Sequence, residues 1–252
     1  MALKYTHSGY IYISPEDDCN FVVDAMLETD YSEEFCLAMN FSPKFVTKLM
    51  EAGFLVMSTV IETENDGVIY LMLPKLHLVR SALFFENLHV KKSIKRLLNR
   101  YELRADAEFE RIIDRCVEKH GEDWLTPPLV NCIKKIRRVS DPSSASVSAG
   151  SKLLPTASPY PASFGLYRDG ELVAGEFGVV CGSVYTSYSG YYDEDNAGTV
   201  QIILAARYLL DHGFSFFDLG MPLDYKYMIG AVDITPQRFV QLFRAGSVPP
   251  TP

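Results

Sequence analysis

Residues 164–243 alternate in a way that few folds can accommodate. Residues 164–167 read as a strand, Arg168-Asp169-Gly170 as a turn, and residues 172–180 and 183–189 as two further strands. Residues 197–212 form an apolar helix closed by Gly213. Residues 214–219 form a short buried strand, and Thr235-Pro236 opens a last helix carrying Phe239, Leu242 and Phe243. Strands joined by short turns pair antiparallel, and a change of apolar period from two to 3.6 marks a switch from sheet to helix. The segment is therefore an antiparallel meander, a helix, a central strand and a second helix, an α+β arrangement.

The upstream half carries more helix. The acidic stretch 15–40 (Glu16, Asp17, Asp18, Asp24, Glu28, Asp30, Glu33, Glu34) reads as a solvated face with a short helix inside it. Ser42-Pro43 starts a helix with Phe45, Leu49 and Met50 on its apolar face, and Gly53 ends it. Residues 54–61 and 68–73 are strands around an Asp66-Gly67 turn. Residues 78–85 are strand-like. Residues 89–100 read as a basic amphipathic helix striped by Val90, Ile94, Leu97 and Leu98. Asp106 is placed to cap a helix through Phe109, Ile112, Ile113, Cys116 and Val117. Thr126-Pro127-Pro128 starts another helix, which ends in Lys134-Lys135-Ile136-Arg137-Arg138. Residues 139–162 are rich in Ser, Pro and Ala and read as a mobile surface loop. The element order after that loop is the one found in acetyltransferase-like (GNAT) domains. The expected architecture is a small N-terminal α/β domain over residues 1–77 and a GNAT-like domain over residues 78–252, interrupted by the 139–162 loop.

With 252 residues, 48% of them apolar and 22% charged, the chain can build a core without disulfides or metal. Its five cysteines are odd in number and form no CxxC pair, as in a reducing cytosol. No signal-length or membrane-length apolar run occurs, so a cytoplasmic protein without membrane contact, a monomer, is expected. A net charge of −8 argues against non-specific coating of nucleic acid but leaves room for a local basic patch. Lys91, Lys92, Lys95 and Arg96 form one candidate; a solvated helix face is the plain alternative. Lys134, Lys135, Arg137 and Arg138 form a second, with an ordinary helix C-terminus as its alternative. Phosphate-cradling glycine loops, H-E-x-x-H and G-x-S-x-G are absent, and the five histidines are scattered. Residues 191–198, ahead of the apolar helix, hold acidic residues and no basic one, which suits no pyrophosphate and argues against acetyl-CoA. Neither cofactor nor metal is expected.

Arg80-Ser81-Ala82-Leu83, followed by Leu88-His89-Val90-Lys91-Lys92-Ser93-Ile94-Lys95-Arg96, resembles the R-x-V-L…L-H-[IV]-S-R-S-[ML]-[KR]-[KR] signature of the leucyl/phenylalanyl-tRNA–protein transferases, without a gap. Leu37-Ala38, Ser42-Pro43 and Gly53-Phe54 are similar to that family's L-A…L-S-P…G-I-F segment. Asp123-Trp124-Leu125-Thr126 is similar to its T-W-I block, and residues 171–179 resemble E-L-V-G-G-x-Y-G-V. Asp218, Gly230-Ala231 and Phe239 fit its last strand and helix.

The resemblance implies an aminoacyltransferase that moves an amino acid from charged tRNA to a protein N-terminus and so marks proteins for degradation (the N-degron route). A relative that binds tRNA or protein without catalysis is the alternative. It implies that Asp218 is catalytic, that Lys91, Lys92, Lys95 and Arg96 meet tRNA with Arg80 joining them, and that Trp124 lies against the terminal adenosine; the plain alternatives are a structural ion pair for Arg80, a core tryptophan for Trp124 and a turn-forming residue for Asp218. The aminoacyl pocket is expected from Met57, Glu176, Phe177, Tyr188, Gly190 and Gly220. Several of these depart from the family. Gly220 replaces the glutamine of D-x-Q. Tyr188 and Gly190 replace the glutamate and methionine of G-E-S-M-F. Glu176 replaces the methionine of G-G-M-Y-G, and Met57 the tryptophan after G-I-F-P. A carboxylate among apolar walls needs a cation, so Glu176 favours arginine as the aminoacyl group, unless it points to the other face of its strand.

Overall fold

A computed structural model describes residues 2–29, 31–63, 67–140 and 152–247. The chain begins with two short antiparallel strands, β1 (Lys4–Tyr5) and β2 (Ile11–Tyr12). Helix α1 (Cys19–Glu28) follows, and the Asp18 carboxylate caps it by accepting from the N–H groups of Asn20 and Phe21. Helix α2 (Pro43–Glu51) has proline in its first turn; Ser42 stands at its cap without a side-chain hydrogen bond. Strands β3 (Leu55–Thr63) and β4 (Gly67–Lys75) form a hairpin whose turn, residues 64–66, lies outside the described residues.

β5 (Arg80–Leu83) enters the main sheet. The stretch expected as one helix over residues 89–100 is instead one helical turn, α3 (Lys92–Lys95), and a 3-10 turn at Leu98–Arg100. Lys91 and Lys95, Lys92 and Arg96, and Arg96 and Arg100 are like charges four apart, which oppose a continuous helix. Ile94 and Leu98 still anchor the stretch in the core.

β6 (Glu102–Ala105) leads to α4 (Phe109–His120) and α5 (Pro127–Ser140). Asp106 does not cap α4. It is buried with a positive φ, and its carboxylate takes Arg137 at 2.6 Å and the Tyr160 hydroxyl at 2.7 Å. The expected loop at 139–162 is shorter than its composition implies. Residues 139–140 belong to α5, residues 141–151 lie outside the described residues, and β7 (Thr156–Arg168) starts at Thr156. Its prolines are tolerated because β6 pairs with β7 only from Phe164 to Tyr167, leaving one side of the earlier part unpaired. β8 (Glu171–Gly182) and β9 (Val184–Tyr192) complete the meander, and Asp169 and Gly170 both take positive φ in the first turn. Helix α6 (Ala197–Asp211), β10 (Phe216–Gly220), a helical turn α7 (Asp224–Tyr227), β11 (Val232–Ile234) and α8 (Pro236–Gly246) finish the chain. Thr235 caps α8 as its sequence implies.

The main sheet has the order β11-β5-β10-β9-β8-β7-β6, antiparallel except between β9 and β10. Both faces are buried, as the near-continuous apolar runs of β7 and β8 require. One face packs on α6 through Ala162, Phe164, Tyr185 and Phe217. The other packs on α4, α5, α8 and the elements before β5, in a core that includes Phe45, Val56, Ile112, Ile133, Phe177 and Phe239.

Candidate active site

β9 and β10 pair at only three positions, ending at Thr186 and Asp218. Beyond that point β9 stays with β8, and β10 stops at Gly220. Where the two strands part, a cavity of about 500 Å³ opens, lined by β8, β9, the start of α6 and the segment that follows β10.

Glu176 of β8 lines this cavity and is 3% exposed. Its Oε2 accepts from the Ser187 hydroxyl at 3.1 Å, and its Oε1 has no partner. Burial pushes its pKa up to about 7, against the pull of Ser187, Gln201 and Lys226. Gln201 stands close enough to lower it without making a hydrogen bond of ordinary geometry, so Gln201 Nε2 is also unpartnered, as is the Tyr191 hydroxyl. Glu176 and Gln201 line the same cavity, whereas the Tyr191 ring packs toward Ile112 on the other face of the sheet. Buried polar atoms without partners are rare in folded proteins, and two at one cavity mark a place that a polar ligand completes. Gly190 pairs with Glu176 across the strands. A Cβ at that position would stand 3.2 Å from the Cβ of Glu176, so glycine keeps the space above the carboxylate open.

Lys226 of α7 lines the cavity from the opposite wall and is 5% exposed. Its Nζ donates to the carbonyls of Leu219 at 2.5 Å and Met221 at 2.7 Å, which leaves one ammonium N–H. Burial draws its pKa down to about 8, opposed by the charges of Asp218 and Glu176. No sequence pattern singles it out: it is one lysine in a mixed stretch. His120, whose Nε2 lies 2.7 Å from the Gly190 carbonyl, is a second lining residue that the sequence does not announce.

Asp218 is fully buried and does not line the cavity. Its carboxylate receives Arg80 Nε at 2.9 Å and Nη2 at 2.6 Å, the Thr186 hydroxyl at 2.8 Å and the Gly220 N–H at 3.0 Å. Burial alone would raise its pKa. The Arg80 charge and these four hydrogen bonds outweigh it and hold the carboxyl below its ordinary value. A carboxylate so filled is an anchor for the point where β9 and β10 part, and it has no lone pair ready for a proton. Arg80 is correspondingly absent from any surface patch. It is 1% exposed, forked onto Asp218, and stacked 3.7 Å from the centroid of the Phe239 ring.

Of the six residues expected in the aminoacyl pocket, Glu176 and Gly190 meet there. Phe177 points to the opposite face and packs edge-on to Phe109, as the alternation of a strand demands of a neighbour of Glu176. The Tyr188 hydroxyl accepts from Val56 N–H, and the Gly220 Cα faces Leu55 and His77. Met57 is half-buried on β3 opposite Leu73. Trp124 is half-buried against the core, and its carbonyl accepts from the Ser58 N–H and hydroxyl. Lys91, Lys92, Lys95 and Arg96 are exposed and, among the described residues, lack ion-pair partners. The second basic cluster is occupied: Lys134 pairs with Asp114, Arg137 with Asp106 and Arg138 with Glu110.

The sheet and cavity lie within the part of the chain that known proteins match. The family model described as leucyl/phenylalanyl-tRNA protein transferase covers residues 82–244. The chain belongs to this family. A leucyl/phenylalanyl-tRNA–protein transferase of Pseudomonas putida (strain W619) is 27% identical over 165 residues, 64% of this chain and 65% of that protein. The enzyme of the same name from Maridesulfovibrio salexigens is 24% identical over 169 residues, 65% of this chain and 63% of that one. The match thus spans slightly less than two thirds of these relatives' own length. Among solved structures, a C-terminal DUF2156 domain from Agrobacterium fabrum aligns with 97% of this chain and 75% of its own, at 12% identity and a TM-score of 0.39, too loose a likeness to bear on function. At the cavity wall of this family member, Glu176 and Lys226 place two buried ionisable groups. Among the described residues, no helix is long and apolar enough to cross a membrane.

Proposed function

We propose that this chain transfers an aminoacyl group from charged tRNA to the amino terminus of an acceptor protein, in the cytoplasm, as a step that marks proteins for degradation. The meander, helix and parallel strand β10 fit an acetyltransferase-like (GNAT) framework without acetyl-CoA, and the acidic Asp195 at the start of α6 is poor company for a pyrophosphate. The acceptor's α-amine attacks the ester carbonyl, a C–N bond forms, the bond to the ribose oxygen breaks, and one proton leaves the amine. The ester is already activated, so the protein's part is to position both partners and move that proton. Asp218 is filled and cannot take it. On the cavity wall, Lys226 in its neutral form and Glu176 as carboxylate are groups that can, with pKa values of about 8 and about 7.

The observation that carries the reading of the aminoacyl group is the buried, unpartnered Oε1 of Glu176. Glu176 and Asp195 set two carboxylates against the single Lys226 on the lining, so the cavity suits a cationic side chain, arginine before lysine. The guanidinium can satisfy Glu176 and carry it back to its charged form. Supplying tRNAs charged with labelled Arg, Lys, Leu or Phe to a panel of acceptor peptides tests this. Transfer of Leu or Phe alone would remove the arginine reading. Because Asp218 serves as an anchor, a relative that binds charged tRNA without transferring is the second reading; tRNA binding with no transfer from any member of the panel would establish it.

A further inference from the structure

The outer half of the β3–β4 hairpin supplies no residue to either core. Val60 is 42% exposed, Ile61 44% and Val68 54%, although all three are apolar. Ile69, Tyr70 and Leu71 are half-buried. One edge of β4 is covered only in part. The Met72 N–H donates to the Ala38 carbonyl at 2.8 Å, and the Met72 carbonyl accepts from the Ala38 N–H at 3.0 Å. The Pro74 carbonyl accepts from the Cys36 N–H at 3.0 Å. Met72 and Pro74 therefore turn their backbone polar groups away from β3. By the alternation of an antiparallel ladder, Tyr70 and Val68 do the same. Among the described residues, nothing bonds to the N–H and carbonyl groups of Val68 or Tyr70 on that side. An apolar strand with an open edge, in a ribbon of only two strands, is a template for a further strand.

Charge decides which strand that is. The chain carries a net charge of −8, so two copies repel over most of their surface. Residues 67–71, Gly-Val-Ile-Tyr-Leu, hold neither charge nor proline. The outer edge of β3 is guarded by Glu62. We infer that β4 pairs antiparallel with β4 of a second copy of this chain, about a two-fold axis through Ile69. Val68 then faces the partner's Tyr70, Ile69 faces the partner's Ile69, and Tyr70 faces the partner's Val68. This register closes the open N–H and carbonyl groups of Val68 and Tyr70 on both copies. Ile61 and Ile69 of both copies share one face of the joined sheet, and Val60, Val68 and Tyr70 share the other. Glu62 stands opposite Val68 within its own ribbon, so the row it joins continues through the partner's Tyr70 and the partner's Val60 and meets no second carboxylate. An edge contact of this kind is small, so the dimer is reversible rather than obligate. The pairing holds whether or not the chain transfers aminoacyl groups.

Sedimentation velocity of the full chain over about a hundredfold range of concentration tests the pairing. Wild type shifts from monomer to dimer as concentration rises. Ile69→Lys sets like charges face to face on the axis and stays monomeric, and so does Ile69→Glu. Mixed in equal amounts, these two variants form a dimer again, because opposite charges now face each other. That recovery also shows that both variants fold. Tyr70→Pro removes an outward donor and stays monomeric; the strand keeps its pairing with β3, as it does around Pro74, which sits at the same alternation. Wild type that is monomeric at every concentration overturns the pairing. A dimer that survives both Ile69→Lys and Tyr70→Pro overturns it by placing the contact elsewhere. A mixture of Ile69→Lys and Ile69→Glu that stays monomeric overturns the register and the two-fold axis with it.

Discussion

Glu176 is held where burial and chemistry oppose each other. Its pKa, raised to about 7 from 4.5 by desolvation, means the folded state binds its proton more tightly than the unfolded state does. The stabilising contribution is full below about 4.5 and is lost as pH rises through about 7. Glu176→Gln keeps the shape and removes the charge. We expect its stability relative to wild type to grow between pH 5 and pH 8, reaching about 1–3 kcal/mol, read by denaturant unfolding at both pH values. A constant difference across that range would contradict the burial account. Asp218 and Arg80 make the opposite case, a pair closed on itself. Asp218→Ala leaves a buried guanidinium uncompensated and should cost about 3–5 kcal/mol, whereas the double variant Asp218→Leu, Arg80→Met should recover a large part of that loss. The same unfolding experiment decides it.

At the scale of elements, the basic stretch 91–100 shows how charge overrides pattern. Its apolar spacing is helical, and Ile94 and Leu98 do reach the core, but like charges four apart break it into two turns. The cations are exposed and, among the described residues, not ion-paired. If they meet phosphates, each of Lys92→Ala and Lys95→Ala should lower the slope of log affinity for tRNA against log salt by about one, while stability stays nearly unchanged. Strands β8 to β10 and helices α5, α6 and α8 were legible from periodicity, turn residues and caps, because their burial agrees with their local propensity. What could not be read was where a side chain points once strands part. Phe177 and Glu176 are adjacent in sequence and on opposite faces. Arg80 reads either as one more cation beside Lys91 or as half of a structural ion pair, and only the fold supplies the partner, Asp218, from 138 residues away. Lys226 has no local signature, since its role comes from the backbone carbonyls of Leu219 and Met221. Pro161 reads as a loop residue, and only the unpaired side of β7 explains how a strand tolerates it.

Across the whole molecule, two apolar cores sandwich one sheet, and its single parallel pair, β9 with β10, ends after three positions. The cavity lies at that parting, walled by Glu176 and Lys226, and just past α7 the Met228 sulfur meets Lys91, one of four exposed cations that lack ion pairs among the described residues. On the proposed function, this polar pocket suits a cationic aminoacyl group, within a family whose relatives are named for leucine and phenylalanine. The most direct measurement of this account is transfer of labelled amino acid from a panel of charged tRNAs to acceptor peptides. The account predicts that label moves to the peptide amino terminus, with arginine ahead of leucine and phenylalanine, and that Glu176→Gln erases that preference. Label that stays on every tRNA in the panel would contradict it.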